Sequence, residues 1–443
     1  MRRHSAVFAL FALALNSVLA LPISSQEDVR SGAPTFEEGD VLGFDQVDSL
    51  RPFLPPEFWE NRDFFFYEGM QLEIGPPHYD YSPAEAFEAA TERFRGQPRL
   101  GPEGSLENYV AGLPFPDTID CKGDPDAGTK IIWNFDRQWT GDGGHSSYYY
   151  SYWDRGEELP LYFEGTAEII RLSNRVEPEH LNARGGDLFR GEKRKGAFGV
   201  EVDGPFDARG IALMTYRYKD SDKPKARTKN DDTWVYLPAL RRVRRISSAQ
   251  RTDSVSGTDF TFDDLSSFAG VVPQYRWECI GEMDLIAPTN TKVAAYPYKK
   301  DHNFGPYGLS YASDRWELRH AVKIRFTPND AGHPYHHKDI YLDQQTLTPL
   351  YSFAYDRKGE LWKIIWHNNR WSEDNLSEDQ SAWYAGWEGV EKPRDLHLVS
   401  DTIVNVQTGT GTRIEFWDAH GTPFENPGKT RRYIDIGRLT KGR

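Results

Sequence analysis

From Lys130 onward, apolar and polar positions alternate with a period of two, and the apolar positions are rich in β-branched and aromatic residues. Such alternation predicts strands with one buried face. It picks out 130–139, 146–153, 162–172, 211–218, 233–237, 241–246 and 275–285, then 316–326, 338–343, 349–355, 361–367, 399–406 and 413–417. Asp356-Arg357-Lys358-Gly359 falls between two of these as a hairpin turn. The gaps leave little room for helices, so an antiparallel meander is expected rather than alternating strand and helix units. A sheet of roughly ten or more strands tends to curl. Its concave side would then enclose an apolar space with a mouth, where ligands sit in such folds.

The N-terminal part has a different texture. Residues 44–62 read as helical in pieces, with Val47, Leu50, Leu54 and Trp59 as apolar marks and Pro55-Pro56 as a break. Residues 83–95 make a better helix: Ser82 suits the N-cap, Pro83 suits the first turn, and Ala86, Phe87, Ala90 and Phe94 share a face. A short helix is expected again at 262–268, with Asp259 and Asp263 at its start as capping acids. Ahead of all this, Arg2, Arg3 and His4 precede an apolar run over 6–20 that ends in Val18-Leu19-Ala20. That is the layout of a secretory signal peptide, and the run is shorter than the ~20 residues a membrane span needs. No cysteine follows the run, so no lipid-attachment thiol is expected. The expected organisation is a signal peptide over 1–20 and a flexible lead-in over 21–40. A single domain over 41–443 follows, with a helical segment at 41–125 and a β-rich body at 126–443. The expected compartment is the periplasm.

Composition sharpens this picture. The chain holds 25 Phe, 23 Tyr and 13 Trp, ample material for a large core or an apolar cavity. Its formal charge of −14 excludes a general nucleic-acid binder. Against that background, 223–251 carries nine basic residues and only Asp231 and Asp232 in opposition, a local +7. A patch of that sign can steer an anionic headgroup or an acidic partner. Within it, Leu240, Arg242, Arg244 and Ile246 fall on one face of a strand. If that face is buried, its arginines need partners such as Asp259, Asp263 or Asp264. Cys121 and Cys279 either pair, as an oxidising compartment permits, or stand as two buried thiols.

Chemistry-bearing motifs are few. Gly409-Thr410-Gly411 reads as a hairpin turn rather than a phosphate-binding loop, and Gly308-Leu309-Ser310-Tyr311-Ala312 as loop rather than a nucleophile elbow. His333, His336 and His337 with Asp339 form the densest group of metal-ligand types, set in a Gly332–Pro334 turn. No cofactor is expected.

The runs Asp231-Asp232-Thr233-Trp234-Val235-Tyr236-Leu237-Pro238-Ala239-Leu240-Arg241-Arg242-Val243-Arg244-Arg245-Ile246 and Gly257-Thr258-Asp259-Phe260-Thr261-Phe262-Asp263-Asp264-Leu265 resemble a block of outer-membrane lipoprotein-sorting-like proteins, the LolA/LolB superfamily. Asn108-Tyr109-Val110-Ala111-Gly112-Leu113-Pro114-Phe115-Pro116 and Trp133-Asn134-Phe135 resemble its longer members, domain of unknown function 1329. The resemblance implies a mainly β (α+β) fold, an incomplete, strongly curved antiparallel barrel with helices plugging its concave face. It implies a non-enzymatic carrier of a hydrophobic or lipid-like molecule, working with an inner-membrane transporter or outer-membrane protein. The candidate ligand- or partner-binding residues are Trp234, Tyr236, Arg241, Arg242, Arg244, Arg245, Asp259, Phe260 and Phe262. The rival expectations are a docking module without cargo and a metal-dependent hydrolase.

Overall fold

The alternation seen in the sequence becomes one very large open sheet. A computed structural model describes residues 34–246, 251–292, 303–374, 394–421 and 427–440; the expected signal peptide lies outside the described residues. Four short strands come first: β1 (Val41–Leu42), β2 (Leu72–Ile74), β3 (Arg99–Leu100) and β4 (Leu106–Glu107). A first meander follows, with β5 (Gly143–Asp154), β6 (Glu157–Arg171), β7 (Arg194–Gly204), β8 (Ala212–Tyr218), β9 (Asp232–Leu237) and β10 (Arg242–Ile246). The second comprises β11 (Tyr275–Ala287), β12 (Arg315–Pro328), β13 (Tyr335–Asp343), β14 (Pro349–Asp356), β15 (Leu361–Trp371), β16 (Leu396–Asn405) and β17 (Thr410–Gly421). The α-helices are α1 (Pro56–Glu60), α2 (Glu85–Phe94), α3 (Ala127–Asp136), α4 (Pro178–Arg184) and α5 (Pro427–Tyr433).

β17 pairs antiparallel with β5 and so joins the two meanders into a 15-stranded sheet. Its neighbours are antiparallel except where β2 runs parallel to the start of β12. β10 ends the sheet on one side; β11, with β1 and β2, ends it on the other. The barrel is therefore not closed. The chain leaves one edge at Ile246 and re-enters the sheet at the other edge with Tyr275. The intervening segment must cross the sheet, and its residues Val255, Phe260, Phe262 and Leu265 pack on the face that carries Tyr150, Ala167, Ile365 and Ile414. This crossing segment is the plug.

Both faces of the sheet are covered. On the plug side, α3 packs Ile131, Ile132, Trp133 and Phe135 against β11–β14. On the other side, the N-terminal segment drives Phe58, Phe65 and Phe66 into Trp316, Tyr351 and Trp366. The C-terminal segment lays Ile434 and Leu439 on Ala212, Met214 and Tyr216. Helix α1 thus serves the outer face, while α2 and α3 lie on the concave side.

Several expectations need correction. Residues 130–139 are not a strand but most of α3. Gly128 explains the change, because a Cβ there would sit 2.6 Å from the Glu278 backbone, so the helix rides directly on β11. Tertiary packing overrides the local strand pattern. Cys121, just before α3, is bonded to Cys279 of β11, with Cα atoms 5.3 Å apart. Helix α2 begins later than expected: Ala84 is its N-cap, and the Ser82 hydroxyl instead donates to Asp80. Strand β7 escaped the pattern because Gly196, Gly199 and Gly204 interrupt it. The lead-in is already fixed before residue 40, since Phe36 is buried against Phe53. The turn at 356–359 forms as expected, with Gly359 at φ +81.

Candidate functional site

Between the concave face, the plug and α2 lies a cavity of about 1460 Å³. Strand register explains its floor. Residues directly opposite in an antiparallel pair share a face. One row across the sheet reads Ala167, Val200, Leu213, Val235, Arg244. The next reads Ile169, Phe198, Thr215, Thr233, Ile246. Phe262 and Leu265 of the plug, Leu398 of β16 and Phe416 of β17 complete the apolar lining. Ile169 remains 57% exposed in this position, although it sits mid-strand. A large apolar side chain open to the cavity is the mark of a binding surface rather than of a packed core.

One end of the cavity is walled by interlocked charges. Lys195 bridges Asp136 and Asp222 at 2.9 Å each, and Arg137 also pairs with both. Arg217 and Arg251 share Asp231, at 2.9 and 2.8 Å, and Arg251 reaches Asp263 at 2.7 Å. The cations hold Asp136 and Asp231 below the usual carboxylate range despite burial. Four cations face four carboxylates here, so this wall is already neutralised.

Beneath the floor, the plug is pinned to the sheet by a buried polar cluster. Asp264 accepts hydrogen bonds from Lys338 Nζ at 2.7 Å, Tyr335 at 2.6 Å, Thr261 at 2.9 Å and Lys363 Nζ at 3.2 Å. The same lysines donate to the Ser267 and Asp259 carbonyls of the plug. Next to them, His367 Nε2 lies 2.7 Å from Ser267 Oγ, and its Nδ1 lies 3.3 Å from Asp401. The order mimics a hydrolytic triad, but the chemistry does not follow. Burial pushes the Asp401 carboxyl up to about 8 and the His367 imidazole down to about 3. Ser267 is wholly buried, so its hydroxyl has no access to a substrate. These groups support the plug.

That protonation has a testable consequence. A carboxyl whose folded pKa lies above its ordinary value binds its proton more tightly in the native state. Its contribution is full below about pH 4 and is lost as pH rises through about 8. Asp401→Asn, which mimics the protonated form, is expected to flatten that decline. Urea unfolding of both proteins between these limits checks it, and parallel curves would contradict the assignment.

The expected site residues separate into groups. Arg244, Arg245 and Phe262 line the cavity. Arg241 and Arg242 are exposed on the adjoining rim. Phe260 is buried edge-on against Tyr150. Asp259 accepts from Asn405 and Thr410 at 2.8 and 2.7 Å, tying the plug to the β16–β17 turn rather than capping a helix. Trp234 and Tyr236 face away, packed with the C-terminal segment in the cluster containing Tyr216. Their alternates Thr233, Val235 and Leu237 face the cavity instead. The arginine face does look inward, yet it needs no buried partner because β10 is the sheet edge. Asp263 pairs with Arg251 and Asp264 with the two lysines. Ile169, Phe198, Leu213, Leu398 and Phe416 also line the cavity; Phe198 and Leu398 lie outside the expected strand segments, and the alternation that marked the other three does not say which face is open.

The three histidines do not converge: His336 and His337 bring their Nδ1 atoms to 2.8 Å, but His333 stands apart. His333 packs edge-on against Tyr275 and Phe326, while His337 stacks on Tyr355. Asp339 is taken by Arg325 and Lys323. Among the described residues, no group of three or more metal-ligand side chains gathers at one point. No helix among them is long and apolar enough to cross a membrane.

A family model described as a protein of unknown function (DUF1329) matches residues 63–433. An uncharacterized protein of Pseudomonas aeruginosa is 22% identical over 310 residues, covering 68% of this chain and 62% of that protein. The match therefore spans less than two thirds of that relative's length. A domain from Vibrio parahaemolyticus named for outer-membrane lipoprotein sorting is 17% identical, covers 72% of this chain and 100% of its own, and has a TM-score of 0.44. A DUF1329 family protein from Desulfovibrio piger is 17% identical, covers 71% and 99%, and has a TM-score of 0.44. A LolA superfamily protein from Nitrosomonas europaea is 11% identical, covers 69% and 98%, and has a TM-score of 0.37.

Proposed function

The chain belongs to the DUF1329 family, and from that premise we propose that it is a non-enzymatic carrier of a hydrophobic or lipid-like molecule in the bacterial envelope. One observation carries this reading: a cavity of about 1460 Å³ with a largely apolar strand floor, onto which Ile169 stands 57% exposed. It exceeds the ~300–1,000 Å³ usual for small-molecule sites. Burying a greasy guest there is worth ~25 cal/mol for each Å² removed from water. The signal-like N-terminus supports a periplasmic location, and handover would involve an inner-membrane transporter or an outer-membrane protein. Native mass spectrometry of gently extracted protein is expected to reveal an apolar guest. Leu213→Trp and Val235→Trp, which fill the floor, are expected to weaken binding of a fluorescent fatty-acid probe by about ten-fold or more, equivalent to ~1.4 kcal/mol. An empty protein that also ignores the probe would sink the proposal.

A second reading, a docking module without cargo, is favoured by the exposed Arg242 and Arg245 on an edge strand and Arg241 in the turn before it. Reversing Arg241, Arg242, Arg244 and Arg245 to glutamate should then abolish capture of an envelope partner by a protein that does not bind the probe.

A further inference from the structure

The cavity floor is not apolar to its end. The row Ala167, Val200, Leu213, Val235 runs strand by strand to the open edge and terminates in Arg244. At ~4.8 Å per strand, that row is about 19 Å long, the scale of an extended alkyl chain. Arg242 lies two residues before Arg244 and shares its face, opposite Leu237 of the cavity lining. Among the described residues no strand lies beyond β10, so both guanidinium groups stand where the greasy floor meets water.

Their pairing state, shared with Arg171 and Arg394 of the lining, sets them apart from the charge-matched cations of the cavity wall. Lys195, Arg217 and Arg251 are each matched to carboxylates, and Arg245, which alternates with Arg244 along β10 and also borders the cavity, is matched to Asp232. Arg242 and Arg244 form no ion pair among the described residues. Asp253, which also lines the cavity, is not paired with either. Two planar five-donor groups at the end of an apolar track suit an anionic oxygen head.

Resting on the carrier reading, we infer that the cargo is an anionic amphiphile, an alkyl chain ending in a carboxylate or phosphate, whose head is held by Arg242 and Arg244 at the β10 edge. The tail lies along the cavity from Val235 and Leu213 toward Phe198 and Ile169. The head stays partly hydrated, so the arginines select the ligand more than they supply its affinity.

The test uses the full chain with three probes: a dansyl-labelled fatty acid, its methyl ester, and inorganic phosphate as competitor. The acid is expected to bind about ten-fold more tightly than the ester at low salt, and high salt should shrink the gap. Arg242→Gln with Arg244→Gln is expected to erase the preference and leave ester affinity unchanged; both positions are exposed, so the fold tolerates the change. Equal binding of acid and ester by the unaltered protein overturns the head-group assignment and leaves the carrier reading standing. So does a double variant that keeps the preference. Displacement of the acid by inorganic phosphate alone identifies a free anion and overturns the amphiphile. Failure of both acid and ester to bind overturns the carrier reading and this inference together.

Discussion

Asp264→Ala is expected to destabilise the fold by about 3–5 kcal/mol, the cost of stranding a buried charge. Asp264 is wholly inaccessible, and Lys338 and Lys363 are buried beside it with ammonium groups 2.7 and 3.2 Å away. Removing the carboxylate leaves two buried cations with only carbonyls and a phenol to face. It also frees the plug, because Tyr335 and Thr261 lose their acceptor. Chemical denaturation at neutral pH reads the loss, and a change under about 1 kcal/mol would contradict the role given to the cluster. The pH dependence has a definite sign. The lysines hold the Asp264 carboxyl well below its ordinary value. Its contribution is therefore full above about pH 4 and is lost as pH falls further. This is opposite to Asp401, whose contribution fades as pH rises toward about 8. Replacing Asp264, Lys338 and Lys363 together by Leu, Met and Met should recover much of the loss, since well-packed apolar side chains often match a buried ion cluster.

Cleaving the Cys121–Cys279 bridge is expected to cost up to about 4–5 kcal/mol. The bridge joins positions 158 apart in sequence, so it removes a large share of the unfolded chain's freedom. It also clamps the turn before α3 to β11, where Gly128 lets the helix lie against the strand backbone. Paired Cys121→Ser and Cys279→Ser substitution, compared with the oxidised protein in a urea titration, is the measurement. Coincident midpoints would mean that packing of α3 alone holds this joint. Loss should register first in fluorescence of Trp133, which lies in that helix with its indole nitrogen bonded to the Gly104 carbonyl at 2.8 Å.

Much of the fold was legible. Twelve of the thirteen expected strand segments correspond to strands, from β5 and β6 to β17, usually within a few residues at each end. The family block at 231–246 and 257–265 agrees with a family match over 63–433. The failures have physical causes. The 130–139 segment is apolar enough for either helix or strand, and its contact with β11 chose helix. β7 carries three glycines, which weaken any strand pattern. Trp234 and Tyr236 drew attention as part of the family block, yet parity placed them under the C-terminal segment.

What the chain alone determined was the material: a long series of amphipathic strands, aromatic enough for a large interior, with a basic stretch in an acidic background. Period-two alternation guarantees two unlike faces for each strand. It cannot say which face meets the solvent, the core or a cavity, because that depends on which distant segments come to cover it. Only the tertiary structure decided that the 251–274 crossing plugs one face and the C-terminal segment seals the other. Only it placed Val235 rather than Trp234 on the floor, and left Arg242 and Arg244 at an edge where no carboxylate answers them. Burial of that kind is set by contacts between residues far apart in sequence, and local pattern carries no record of them.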